Sequence, residues 1–231
     1  MSVHWANADQ TIRRTTSLGI GAYPFTLMAW IKTDETPSTT DAVVWLGSRV
    51  ATNRMYHIGT DSNNKAYVGA QNTTEARAPS TTTVVGDGRW HWIAGVFIGN
   101  TNKQLYVDGV LEATLTTNIA FSTSTNGCDI GRRGDSSPSN FYGGTAAHVH
   151  VWEGSLTQQE LIQAAALPGS VRHTRSTLLQ AYLPLTPEAP TMSYNDDVDL
   201  WVTSGAALAM IHEGPPIHGL YWPQAQPARS Y

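Results

Sequence analysis

The chain is 231 residues long, 41% hydrophobic and only 14% charged, with a formal net charge of −4. Length and apolar content allow one large domain with a real core. Low charge beside many Thr, Ser, Asn and Gly suits a β-sandwich surface better than a helical bundle. Lys and Arg are scattered, adjacent only at Arg13-Arg14 and Arg132-Arg133, so there is no basic stripe to draw nucleic acid. Cys128 is the single cysteine, which excludes an internal disulfide and a cysteine-based zinc cluster.

The opening MSVHWANADQ has neither the basic nor the apolar region of a cleaved export signal, so export by that route is not expected. No apolar run approaches the length that a membrane-spanning helix needs. Short runs broken by Gly, Pro, Asn and Asp then read as strands: 25–31, 42–46, 55–58, 65–68 and 90–97. Asn72-Thr73-Thr74 matches the glycosylation triplet, read here as a chance match in a Thr-rich loop. Leu105-Tyr106-Val107 meets Asp108-Gly109, the strongest hairpin signal in the chain. Further strands fit 127–130, 146–152 and 178–183. Many short strands joined by turns predict a sandwich or barrel rather than βαβ units. Trp30, Trp90 and Trp92 are expected to fill the space between two sheets.

One helix is well specified. Thr157-Gln158-Gln159-Glu160 is a capping box, Leu156 and Leu161 have the spacing of a hydrophobic staple, and Pro168-Gly169 ends the segment. Beyond Thr186 the texture changes, with Pro187, Pro190, Pro215, Pro216, Pro223 and Pro227 breaking up the stretch. The expected organisation is a sandwich over 1–186 and an extended arm over 187–231, with only 206–211 resembling a strand. Tyr221, Trp222 and Tyr231 are too apolar for a free tail and are candidates for packing on this domain or on a partner subunit.

Several of these segments together resemble the laminin G-like family. Trp90-His91-Trp92-Ile93-Ala94 is similar to its W-H-x-V-A strand, and Leu105-Tyr106-Val107-Asp108-Gly109 to its L-Y-V-D-G hairpin. Phe25–Lys32 resembles an earlier strand of the family, and 141–166 its closing strand and helix. The resemblance spans roughly residues 1–185 and implies an all-β, concanavalin A-like jelly roll of two antiparallel sheets. It does not imply a function, because the fold serves lectins, glycosidases, adhesion modules and virion proteins alike. Ala147-His148 stand where the family usually has an acidic residue, so a calcium role tied to that acid is not carried over.

Catalysis is not expected. The Glu-x-Asp-x-x-Glu run of the family's glucanases is absent. Gly134-Asp135-Ser136 lacks a nucleophile-turn context, and Arg133-Gly134-Asp135 is a three-residue match that a turn explains equally well. His148 and His150 lack an evident third metal ligand and read as an outer strand face or a subunit contact. Asp196-Asp197-Val198-Asp199 reads as a solvated turn, with calcium as its only candidate cofactor.

Two binding readings follow. The first is a virion protein of a tailed phage, decorating a capsid or belonging to a fibre and meeting capsid or tail subunits, a second copy of itself, or host glycan. It draws on the resemblance of Leu179–Leu185 and Gly214–Ile217 to laminin G-like proteins encoded in phage genomes. The alternative is a carbohydrate-binding or adhesion module, extracellular or on a cell surface, with Asn140, Tyr142 and Trp152, and also Trp45, as sugar-contacting candidates.

Overall fold

The computed structural model describes residues 2–6, 10–14, 16–123, 125–168, 175–185, 201–204, 209–211 and 215. In chain order its strands are β1 (Ser2–Ala6), β2 (Thr11–Arg14), β3 (Phe25–Lys32), β4 (Thr40–Gly47), β5 (Arg54–Asp61), β6 (Lys65–Asn72), β7 (Thr74–Val84) and β8 (His91–Gly99). These are followed by β9 (Asn102–Val107), β10 (Val110–Leu115), β11 (Gly127–Ile130), β12 (Gly143–Trp152), helix α1 (Gln158–Ala166), β13 (Leu179–Leu183), β14 (Trp201–Ser204) and β15 (Ala209–Ile211).

The strands form two antiparallel sheets. One runs β10-β9-β8-β3-β12-β1-β15, with β13 also on β12; the other runs β14-β2-β11-β4-β5-β6-β7. β1 and β13 lie end to end along one edge of β12, taking residues 143–146 and 149–152 respectively. Between those stretches β12 bulges, with His148 at φ 48°. The expected jelly-roll sandwich is present.

Alternation along β3 decides what lies between the sheets. Phe25, Leu27, Ala29 and Ile31 face inward and meet Val44 and Leu46 of β4 and Tyr56 and Ile58 of β5. Phe25 stacks on its cross-strand partner Phe97 at 4.5 Å between ring centres, and Tyr56 meets Phe25 edge-on at 5.2 Å. Met28 and Trp30 point the other way and pair with Trp92, Ala94 and Val96 of β8.

The tryptophan expectation is therefore corrected. Trp30, Trp92 and the half-buried Trp90 lie outside the inter-sheet core, in a second core under α1. Leu161, Ala164 and Ala165 of the helix close that core, and Trp30 Nε1 donates to Ala165 O at 3.3 Å. A strand buried on both faces reads as an unbroken apolar run, so its sequence does not reveal which face is inner. The helix itself forms as its signals require. Thr157 accepts from Glu160 N, and the Glu160 carboxylate accepts from Thr157 N at 2.8 Å.

The Thr-rich stretch read as a loop is the eleven-residue edge strand β7. Its threonines tie the edges of the two sheets together through Glu112 of β10. Glu112 Oε2 accepts from the backbone N–H groups of Thr81 at 3.1 Å and Thr82 at 2.9 Å. The hydroxyls of Thr82 and Thr83 donate to Oε1 at 2.7 and 2.6 Å. Burial alone would raise the Glu112 pKa, but these donors outweigh it and hold the carboxylate down to about 2.

Glu112→Gln is expected to lower unfolding stability at pH 7 by about 2 kcal/mol, the scale of hydrogen bonds to a charged group. A carboxylate whose pKa is depressed by folding stabilises above its unfolded pKa and loses that contribution as pH falls from about 4.5 toward 2. Urea titrations at pH 7 and pH 3 should show the gap between wild type and variant narrowing at the lower pH.

Candidate functional site

The sugar-contacting candidates are placed inside the fold. Tyr142 is wholly buried in the inter-sheet core, its hydroxyl donating to Thr145 O at 3.1 Å. Trp152 is wholly buried in the core beneath α1, and Trp45 is wholly buried on the outer side of the seven-stranded sheet. None of these rings presents a face on which a sugar could stack. Asn140, at φ 53°, spends its amide on Thr40, donating to both its carbonyl and its hydroxyl at 2.7 Å. Tyr221, Trp222, Tyr231 and the 196–199 acidic run lie outside the described residues. Among the described residues, no three His, Cys, Asp or Glu side chains are placed to share a metal ion.

His148 and His150 are buried rather than on an outer face. His150 stacks between Trp152, at 4.9 Å, and Tyr182, at 4.4 Å, while His148 Nδ1 pairs with the Tyr182 hydroxyl at 2.8 Å. Burial pushes His148 down to about 4; burial and then the neighbouring His148 push His150 down to about 3. Both rings are neutral in the folded protein at neutral pH.

The outer side of the seven-stranded sheet is where polar chemistry concentrates. Register places Arg13, Asp129, Trp45, His57, Gly69 and Arg77 in one row across β2, β11, β4, β5, β6 and β7. Asp129, Trp45 and His57 are nevertheless buried: the segment 131–140 after β11 folds back over Asp129, Arg49 lies over the Trp45 ring at 5.9 Å, and His57 packs against Tyr67 and Glu75. Gly134 sits so close to Asp129 that a Cβ there would lie 2.2 Å from Oδ2. Arg133 Nη2 donates to Thr52 O, and Asn140 anchors the return of the segment. Arg133 and Asp135 pair with each other at 2.5 Å, with the Asp135 side chain 1% exposed. The Arg133-Gly134-Asp135 tripeptide thus serves the segment's own folding and is not displayed.

Three guanidiniums converge on the buried Asp129 carboxylate: Arg49 at 2.6 Å, Arg132 at 3.2 Å and Arg13 at 4.0 Å. Arg49 also donates to the carbonyls of Arg14 at 2.7 Å and Cys128 at 3.2 Å. This fixes the β4–β5 loop, residues 48–53, in which Arg49 is second. Beside it lies a cleft of about 350 Å³. Its walls are Val50–Asn53 of that loop, Arg54 at the start of β5, Asn72 at the end of β6, Thr73 of the β6–β7 turn, and Ser136. Gln71 braces the two loops, Nε2 donating to Asn53 Oδ1 at 3.4 Å and to Thr73 O at 3.3 Å. Amides, hydroxyls, one guanidinium and the 79% exposed Val50 line this space.

Sequence reasoning missed this cleft, although Asn72-Thr73 had been singled out as part of a glycosylation triplet. A second cleft of about 340 Å³ holds His4, Lys32, Asp34 and Glu35, mixing both signs of charge.

Family and fold comparisons agree with this architecture. The Laminin_G_3 model, described as the concanavalin A-like lectin/glucanases superfamily, matches residues 7–162. The chain belongs to this family. The laminin G-type match ends inside α1, so β13, β14 and β15 follow it in the chain. No curated protein matches the chain.

Among solved structures, a native heptameric SAP-like pentraxin from Limulus polyphemus is similar with a TM-score of 0.64 at 14% identity, over 91% of this chain and 95% of that one. The CBM40 of a Ruminococcus gnavus IT-sialidase, bound to α2,3-sialyllactose, is similar with a TM-score of 0.56 at 15% identity, over 71% and 95%. Domains LG4-5 of the mouse laminin α1 chain give 0.53 at 9% identity, over 68% and 43%. At these identities the likeness is one of fold.

Two outcomes follow for this laminin G-type fold. Trp152→Ala should cost about 3–5 kcal/mol of stability, measured by urea unfolding, because its ring is core. A histidine whose pKa is depressed by folding lets the unfolded chain bind more protons, so stability falls as pH drops from about 6.5 toward 4. The loss should reach roughly 3 kcal/mol or more at pH 4. A His148→Gln, His150→Phe double variant should flatten that slope, and an unchanged slope would assign it to other groups.

Proposed function

We propose that this protein is a carbohydrate-binding module and that the cleft at 50–54, 72–73 and 136 receives the glycan. The observation that carries the reading is the lining. Amides at Asn53 and Asn72 and hydroxyls at Thr52, Thr73 and Ser136 line one concave space; Asn72 Nδ2 also donates to Ala120 O, Thr73 Oγ1 to Asn72 O, and Asn53 Oδ1 accepts from Gln71, and the remaining donors and acceptors suit a sugar's hydroxyl groups. The cleft is formed by loops held on a rigid sheet, where binding residues concentrate. The CBM40 similar in fold is bound to a sialylated sugar, which supports a glycan as the class of ligand. Assembly of several copies, as in the heptameric pentraxin, would raise the avidity of a shallow site and suits an extracellular or cell-surface setting.

The virion reading rests on the resemblance at 179–185 and 214–217 and on the arm carrying Tyr221, Trp222 and Tyr231, and no relative or described contact supports it. Calcium has no described ligand set to support it either.

A glycan array with the full chain should show binding. An Asn53→Ala, Asn72→Ala double variant should weaken it about tenfold or more, since two lost hydrogen bonds are worth roughly 1 kcal/mol each. That variant also loses the Gln71–Asn53 and Asn72–Ala120 hydrogen bonds, so a Thr52→Ala, Ser136→Ala variant should weaken binding likewise while its thermal midpoint stays close to that of wild type. A chain that binds no glycan, or a variant that binds as wild type does, would overturn the assignment.

A further inference from the structure

We infer that His91 is a proton-operated latch: held between Asp87 and Asp108, it ties the β7–β8 loop, residues 85–90, to the β9–β10 turn and so sets one wall of the second cleft. This device stands apart from the cleft proposed for glycan. His91 opens β8. Its Nδ1 lies 2.6 Å from Asp108 Oδ2 in the β9–β10 turn, and its Nε2 lies 3.1 Å from Asp87 Oδ1 in the β7–β8 loop. An ionised carboxylate only accepts hydrogen bonds, so bonds at both ring nitrogens need a proton on each. The ring that makes both bonds is the imidazolium.

Both carboxylates are themselves anchored. Asp108 Oδ1 accepts from Trp92 N at 2.9 Å, and Asp108 N donates to Trp92 O at 3.0 Å. Asp87 Oδ1 also accepts from Arg89 N at 2.9 Å, and Arg89 Nε lies 3.8 Å from Asp87 Oδ2. Helix α1 brings the uncharged Gln158 to Gly109 O at 2.6 Å, while its Glu160 pairs with Arg175. On β3 the partner of His91 is Ile31; Lys32 and Asp34 follow it, and a Cβ at Gly88 would lie 3.8 Å from Asp34 Cβ. The Asp108 bond is the largest influence on His91. With the Asp108 charge and the contacts to Asp87 it outweighs burial and raises the pKa of the ring.

The two bonds are unequal, and the inequality decides which side lets go. A neutral imidazole has one N–H, which stays with the nearer Asp108. The bare Nε2 then faces the Asp87 carboxylate, lone pair against lone pair. Loss of the proton therefore frees the loop and leaves the turn in place. The loop reaches the second cleft at Gly88, which lines it with Lys32, Asp34 and Glu35 and donates to Thr33 O at 2.9 Å. Its other ties are Val85 N and Gly86 N, both on Asn64 O at 2.8 and 3.2 Å. A group whose pKa is raised by folding stabilises below its unfolded pKa and loses that contribution as pH rises through the folded one. The latch is thus closed on the acid side and open on the alkaline side, opposite in sign to the buried pair His148 and His150.

The test is NMR of the full chain from mildly acidic to mildly alkaline pH. It follows the His91 ring and the hydrogen-exchange protection of single amides, each rate referred to an unstructured chain at the same pH. Protection at Gly88 should fall about tenfold or more with the same midpoint as the His91 titration, the scale of one charge-assisted hydrogen bond. Protection at Trp92, on the Asp108 side, should hold. Asp87→Asn keeps an acceptor for Arg89 N without the charge; it should remove most of the Gly88 response and lower the His91 midpoint. Asp87→Glu should keep part of the response. Gly88 protection that stays constant through the His91 titration, or that responds undiminished in Asp87→Asn, would overturn the latch. So would loosening at Trp92 in place of Gly88, which would make Asp108 the released side.

Discussion

The buried carboxylate of Asp129 is the constraint on which the loop-bearing rim of the seven-stranded sheet depends. A lone carboxylate on a covered sheet face would be strongly disfavoured, and burial is tolerable only with paired, well-placed cations. Arg49, Arg132 and Arg13 supply them from three different segments. Satisfying one charge therefore locks the β4–β5 loop and the segment after β11 against the same strand. Gly134 is needed where it is because nothing larger fits over Asp129.

That arrangement separates two roles that a sandwich could combine. Trp45 and His57 are buried on their sheet face and offer no exposed ring across the strands. What remains open is a small polar recess at the rim, braced by Gln71 between Asn53 and Thr73. Its floor is rigid and its contacts are hydrogen-bonding groups rather than aromatic platforms. On the proposed reading, a recess of this kind would take a terminal or branch residue of a glycan rather than a long flat chain.

The fold was largely legible in the sequence because its signals are local. The Asp108-Gly109 turn has both residues at positive φ, 48° and 92°, as that dipeptide demands, and the Thr157–Glu160 box starts the helix. What local pattern did not reveal was facing. β3 and β8 are apolar on both sides, so only the helix lying over Trp30 and Trp92 shows which side is inner. β7 was missed because its threonines read as loop, while its pairing comes from β6 and from Glu112.

The site was far less legible. Tyr142 and Trp152 were chosen for their chemistry, but large aromatics are most often burying area, and both do so here. The cleft residues lie on separate loops: Asn53 and Asn72 are neighbours only because β5 and β6 form a hairpin. No spacing rule in one chain reports that. The arginines were equally hidden, being scattered in sequence and gathered by the sheet.

The placement of β14 and β15 has a consequence for how the molecule is made. These strands cap β2 and β1, each at the end of its sheet, and they come from residues 201–211. During synthesis both sheets therefore wait, with β1 and β2 unpaired on one side, until residues 201–211 have emerged. Such margins are templates for pairing between chains. The final strands act as selvedges, finishing both layers and keeping one nascent molecule from being stitched to the next.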